Sequence, residues 1–284
     1  MPELPEVETI VQGLKEKIAG QRISRVTLNL PKIVRSDLKE FLSSLPGQVI
    51  ERVWRRGKFI IIDLSRDHSL IVHLGMTGQL TYVSSAAPLL KYTHLTLQLE
   101  NNDLHQLRYR ALRQFGYIRL VDSGQLKGVE SLAKLGPEPF ELTLEQFIHL
   151  IGAHRGRIKP LLLDQGVIAG IGNIYADEIL YRAQIHPRRP ADSLTPLHLK
   201  KIYHAMREVL VAAIEKRGSS VQDYVTSDGE AGEYQRLHQV YHRQGQPCFR
   251  CGALIAREKL GGRSTHYCPR CQRYIVYTMK GARI

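Results

Sequence analysis

Eight short runs within residues 22–121 constrain the fold of this chain more than any other feature. They read RISRVTLNL, QVIERVW, KFIIIDL, SLIVHL, GQLTYV, THLTLQL, LHQLRYR and GYIRLV. Ile, Val, Thr and Tyr dominate them, and Gly, Pro, Asn or Asp interrupts at short intervals, as in strands joined by turns. So many strands without intervening helices predict an antiparallel sandwich or barrel.

The flanking sequence has a different period. Val7, Ile10, Val11, Leu14 and Ile18 recur at helical spacing, with acids leading and lysines trailing, which predicts a helix over 6–18. LGPEPFELT, residues 135–143, carries two prolines and a glycine and reads as a domain boundary. Beyond it the chain turns helical. Two short apolar helices, 159–163 and 174–180, flank a glycine-punctuated turn that sets Gly172 and Asn173 at a helix start. Free N–H groups there can hold a phosphate, and a plain helix–helix corner is the competing reading. Thr195 and Pro196 cap and start a longer helix, whose apolar face runs from Leu199 to Ile214. Residues 217–233, rich in Gly, Ser and Asp, read as a loop.

Charge narrows the class of partner. Forty Lys and Arg against 27 Asp and Glu leave a net +13, which calls for a polyanion, either nucleic acid or an acidic membrane surface. No helix pairs a basic face with exposed large apolar residues, which makes the membrane surface the weaker choice. No run of about 18 apolar residues is present, and the acidic N-terminus is unlike a signal peptide. A cytoplasmic protein is expected.

All four cysteines, Cys248, Cys251, Cys268 and Cys271, lie near the C-terminus in two C-x-x-C pairs. The sixteen residues between the pairs suit a hairpin that brings four thiolates to one tetrahedral, structural Zn²⁺. From position 248 onward there are eight Arg or Lys and one acid, Glu258, which suits phosphate contact. A Gly-Gly turn would present Arg263 at the hairpin tip. A ribbon that binds protein is the alternative for this segment alone. Pro2 and Glu3 read, by themselves, as a helix start. Met76 and Phe115, in HLGMTG and RQFG, read either as core or, beside Arg113, as a wedge in an unstacked duplex.

Taken together, PELPEVET, RRGKF, HLGMTG, RQFG, IKPLLLDQ, GIGNIYADEIL, DYVTSDGEAGEYQ and GRSTHYCPRCQ resemble the formamidopyrimidine-DNA glycosylase family, in order and over nearly the whole chain. The resemblance implies an α+β multidomain protein. Residues 1–134 would form a catalytic N-terminal antiparallel β-sandwich with a leading helix. Residues 135–238 would form a helix–two-turn–helix domain with a lesion-capping loop, and 239–284 a four-cysteine zinc finger hairpin. It implies a bifunctional glycosylase/AP lyase of bacterial base excision repair, acting on double-stranded DNA that carries an oxidised purine or an abasic site; a monomer is the default expectation, since nothing in the sequence argues for an oligomer.

The resemblance also assigns residues. Pro2, freed of Met1, is the nucleophile, and Glu3, Lys58 and Arg263 complete the catalytic set. Met76, Arg113 and Phe115 fill the void left by the extruded base. His94, Arg113, Arg155, Lys159, Asn173 and Tyr241 contact DNA. The one departure is Ala111, where members commonly carry Asp two residues before the wedge arginine; local support of that loop is expected to differ.

The chemistry accounts for the opening residues. A terminal proline is a secondary amine with an ordinary pKa of about 8, so part of it is neutral at working pH and can form an iminium with the damaged sugar. Glu3 would carry a proton to the ring oxygen, while Lys58 and Arg263 would neutralise the flanking phosphates. Two alternatives remain: an endonuclease VIII-like enzyme for oxidised pyrimidines, whose members typically begin Pro-Glu-Gly-Pro-Glu where this chain has Leu4, and a non-catalytic zinc protein that binds damaged DNA.

Overall fold

The computed structural model describes residues 1–100 and 104–274 and divides into two compact units: Met1–Ala133 with Ala213–Gln235, and Lys134–Ala212 with Arg236–Ile284. The end of the segment assigned to the zinc finger, beyond 274, lies outside the described residues.

In the first unit α1 (Leu4–Ile18) leads β1 (Ile23–Leu28), α2 (Leu38–Ser44), β2 (Ile50–Arg56), β3 (Phe59–Leu64), β4 (His68–His73), β5 (Gly78–Ser84), β6 (Thr93–Leu99), β7 (His105–Ala111), β8 (Tyr117–Asp122) and α3 (Glu130–Ala133). All eight expected strands form. They pair antiparallel into two four-stranded sheets, in the orders β1-β6-β7-β5 and β2-β3-β4-β8. The sandwich wins over the barrel because the sheets stay separate and face one another. Ile62, Leu70, Val72 and Ile118 of one meet Leu80, Leu95, Leu97, Leu107 and Tyr109 of the other. Alternation sets this up: in β6, Leu95, Leu97 and Leu99 enter the core, and the polar residues between them face away.

Helix α1 buries Val7, Ile10, Val11, Leu14 and Ile18 in the same core. Each contributes about 1.5–3 kcal/mol on burial. It begins two residues earlier than the apolar spacing indicates, because the Glu6 carboxylate reaches back to accept the Glu3 N–H at 2.7 Å and caps the first turn.

The second unit holds α4 (Leu144–Gly152), α5 (Ile158–Leu163), α6 (Asn173–Ala183), α7 (Pro196–Glu215, whose last turn belongs to the first unit) and the hairpin β9 (Ala256–Leu260)–β10 (Arg263–Tyr267). Helix α4 was not expected, although Thr143 and Gln146 form a capping box at its start. In the hairpin, Leu260 pairs with Arg263, which leaves Gly261 and Gly262 as a two-residue turn at φ 56° and 78°. Both positions are left-handed, which is why two glycines stand there. Among the described residues no helix is long and apolar enough to cross a membrane.

Candidate active site and nucleic-acid contacts

Pro2 and Glu3 are buried at the head of α1, beneath a half-exposed Met1. Glu6, one turn on, is 1 % exposed; its second carboxylate oxygen accepts the Ser219 N–H at 2.8 Å. A single carboxylate thus joins the backbone at Glu3 to the loop 217–233. That loop is tied down again where Ser227 accepts the Tyr82 N–H at 2.7 Å and where Lys17 pairs with Asp228.

Lys58 is buried in the turn between β2 and β3. Arg55, on β2, donates Nε to Glu8 of α1 at 2.7 Å and Nη1 to the carbonyl of Gly57 at 3.0 Å. The helix that carries Pro2 and the turn that carries Lys58 are thereby fastened together. His73 neighbours this turn, its ring in tilted contact with those of Phe59 and Tyr117 at centroid distances of 4.8 and 5.5 Å. Burial, then the charges of Lys58 and Arg35, push its imidazole down from 6.5 to about 4, so it is neutral at pH 7.

The three wedge candidates lie on two adjoining turns. Met76 sits in the β4–β5 turn, Arg113 and Phe115 between β7 and β8, and all three are exposed, Phe115 at 63 %. The turns touch backbone to backbone. A Cβ on Gly75 would lie 2.5 Å from the Gly116 nitrogen, and one on Gly116 would lie 2.5 Å from the His73 carbonyl. Two hydrogen bonds support the Arg113 loop: Thr77 Oγ1 accepts the Arg113 N–H at 2.9 Å, and the buried His94 ring donates to the Ala111 carbonyl at 2.9 Å.

In the second unit Arg155 is exposed in the α4–α5 connection, and Asn173 opens α6 behind Gly172, its Oδ1 buried without a hydrogen-bond partner. Tyr241 is half-buried and stacked on His242 at 4.5 Å. Its N–H, with those of Gln239 and Val240, donates to Glu178 at 2.9–3.0 Å. Arg263 projects from the hairpin tip into solvent.

Lys159, expected from the family resemblance to contact DNA, has a side chain that is 0 % exposed, and its Nζ lies 2.7 Å from Asp177 Oδ1. It also donates to the Ser264 carbonyl and Thr265 Oγ1, both at 2.8 Å.

The four cysteine sulfurs lie within 4.8 Å of one another, with Cys248–Cys271 at 3.9 Å and Cys251–Cys268 at 3.5 Å. A tetrahedron of Zn–S bonds of about 2.3 Å requires sulfur separations of about 3.8 Å, so the set fits zinc and leaves no open position. Gln272 braces it, accepting the Cys268 N–H at 2.8 Å and donating to the Ile185 carbonyl at 3.0 Å.

The comparisons with known proteins agree along the chain. Residues 1–118 match the formamidopyrimidine-DNA glycosylase N-terminal domain, 135–225 its H2TH domain, and 245–273 the zinc finger found in FPG and IleRS. A formamidopyrimidine-DNA glycosylase of Pelotomaculum thermopropionicum is 47% identical over 276 residues, covering 96% of this chain and 99% of that protein. The chain belongs to the formamidopyrimidine-DNA glycosylase family. Two solved Lactococcus lactis structures are similar at 36% identity, covering 96% of this chain and 100% of theirs: a mutant FPG with DNA containing Fapy-dG, TM-score 0.89, and Fpg with DNA containing an abasic site, TM-score 0.88. Membership does not by itself mark Arg55, Asp177 or Glu178. The first two are visible in sequence only as charges within RRGKF and GIGNIYADEIL, and their roles emerge from burial.

Proposed function

We infer that this protein is a bifunctional DNA glycosylase/AP lyase of base excision repair, acting on oxidised purines such as 8-oxoguanine and formamidopyrimidines in double-stranded DNA, within a bacterial cytoplasm. The observation that carries the reading is the buried Pro2–Glu3 pair at the head of α1, fastened through Glu8 and Arg55 to the turn bearing Lys58. Family membership and the damaged DNA bound by the Lactococcus lactis relatives support the substrate class.

Removal of Met1 exposes the Pro2 nitrogen. It attacks the anomeric carbon of the damaged nucleotide, the bond to the base breaks, and the base departs with a proton. Glu3 gives a proton to the ring oxygen as the sugar opens, and the nitrogen lone pair completes an iminium. The iminium acidifies the adjacent sugar hydrogen, whose loss expels the 3′ phosphate; a second elimination expels the 5′ phosphate. Lys58 and Arg263 neutralise these phosphates. Extrusion of the base costs a few kcal/mol, offset in part by Met76, Arg113 and Phe115 entering the gap. Zinc, when bound, supplies a structural crosslink held by Cys248, Cys251, Cys268 and Cys271.

The deciding experiment is borohydride trapping of the Met1-processed protein on a duplex with one 8-oxoguanine opposite cytosine, with mass spectrometry of the digest. An adduct on Pro2, absent with undamaged duplex, is the expected result. Trapping only on an oxidised pyrimidine would move the protein to the endonuclease VIII-like activity, and no adduct on either would sink the catalytic reading.

A further inference from the structure

The zinc hairpin ends in Arg263, yet a two-stranded hairpin is marginal on its own, so the bearing of its tip must be set by what it leans on. Zinc fixes the base, at Cys268. Of the four residues between Arg263 and Cys268, three, Ser264, Thr265 and His266, are held by the same buried pair. Lys159 donates to the Ser264 carbonyl and Thr265 Oγ1 at 2.8 Å. Asp177 Oδ2 accepts the His266 backbone N–H at 2.9 Å and pairs with its Nδ1 at 3.1 Å. Lys159 and Asp177 are themselves joined at 2.7 Å, both side chains 0 % exposed.

We propose that Lys159 and Asp177 form a buried strut that fixes the bearing of Arg263 and are positioning residues for the phosphate contact made there. The proposal rests on the role given to Arg263 above. Two considerations carry it. A buried ion pair adds little net stability over well-packed apolar residues of the same volume, so orientation is the better account of its presence here. Moreover, Asp177 stands one turn after Asn173 on α6. The strut therefore references the hairpin to the same helix that presents a proposed DNA contact.

The test is a double-mutant cycle, which separates action through Arg263 from general loosening. Asp177→Asn and Thr265→Val are each made in the native and Arg263→Ala backgrounds. Single-turnover strand cleavage is measured on a duplex carrying a preformed abasic site, with zinc content and thermal midpoint followed alongside. Amide exchange at His266 reports on the tether without any activity. The expected result is faster exchange at His266, with cleavage about tenfold slower for Asp177→Asn and about threefold slower for Thr265→Val when Arg263 is present, and less than about twofold slower when it is absent. Thr265→Val, which leaves the ion pair intact, carries the cycle if Asp177→Asn does not fold. Equal losses in the two backgrounds, or native cleavage with a loosened hairpin, would overturn the proposal. If the native protein cleaves no damaged duplex, the enzyme reading falls. The cycle is then read from the salt dependence of duplex binding, where Arg263→Ala should lower the slope by about 0.9 and Asp177→Asn should add nothing to it.

Discussion

Arg55 reaches from β2 to Glu8 of α1 at 2.7 Å, and the same guanidinium donates to the carbonyl of Gly57 at 3.0 Å. With side-chain exposures of 9% and 24%, the pair is shielded enough to hold its geometry, unlike the surface pairs of this chain. Replacing Arg55 by Met keeps the aliphatic stem but releases the Lys58 turn from the proline helix. Single-turnover cleavage at a preformed abasic site should fall about tenfold, equivalent to about 1.4 kcal/mol, while binding of the same duplex changes less than about threefold. A matching loss of affinity would show that Arg55 supports binding, not alignment.

Gly116 offers a second test. A Cβ there would lie 2.1 Å from the Tyr109 hydroxyl and 2.5 Å from the His73 carbonyl, in a place where neither can retreat without moving a strand. Gly116→Ala should cost about 1–3 kcal/mol in urea denaturation and should separate the Met76 turn from the Phe115 turn. Fluorescence of 2-aminopurine opposite a lesion, which rises when the helix is opened, should respond less to this variant than to the native protein. An unchanged response would mean that the two turns insert independently.

The strands, α1 and the zinc ligands were legible because each follows a local rule: period two, period 3.6, or fixed C-x-x-C spacing. The buried polar framework was not. Lys159 reads as a basic residue beside a phosphate-binding turn, and nothing in IKPLLLDQ reveals that Asp177 and Thr265 will enclose it. Glu178 likewise reads as helix surface until residues 239–241 fold onto it and supply three N–H groups. The return of Ala213–Gln235 to the first unit depends on Glu6, 213 residues away from Ser219, and no periodic signal could announce it. Helix α4 was the exception, since its capping box stands in the sequence.

Zinc removal should act locally. The Cys248, Cys251, Cys268 and Cys271 sulfurs have little apolar core to replace the metal, their cluster comprising Tyr181, Val240, Ala253, Ile255 and the cysteines themselves. A chelator should release one zinc per chain, expose His266 and Tyr267 amides to exchange, and abolish binding of abasic duplex. The amides of β3 and β4, buried in the sandwich core, should stay protected. Loss of protection there as well would show that the two units unfold as one.

Acid should weaken the sandwich through His73. Its Nδ1 is buried without a partner, its ring lies between Phe59 and Tyr117, and Lys58 and Arg35 supply the charges that face it, Arg35 stacking on Tyr117 at 3.9 Å. Above pH 6.5 the imidazole is neutral in folded and unfolded chains alike, and it costs nothing. Between 6.5 and about 4 the unfolded chain binds a proton that the folded one refuses, so stability falls as the pH is lowered. Below about 4 both forms are protonated and the loss levels off at about 3 kcal/mol. Urea midpoints measured from pH 7 to pH 4 should therefore drop steeply for the native protein and less for His73→Phe, which keeps an aromatic ring there without the titration. Parallel curves for the two proteins would place the acid sensitivity elsewhere.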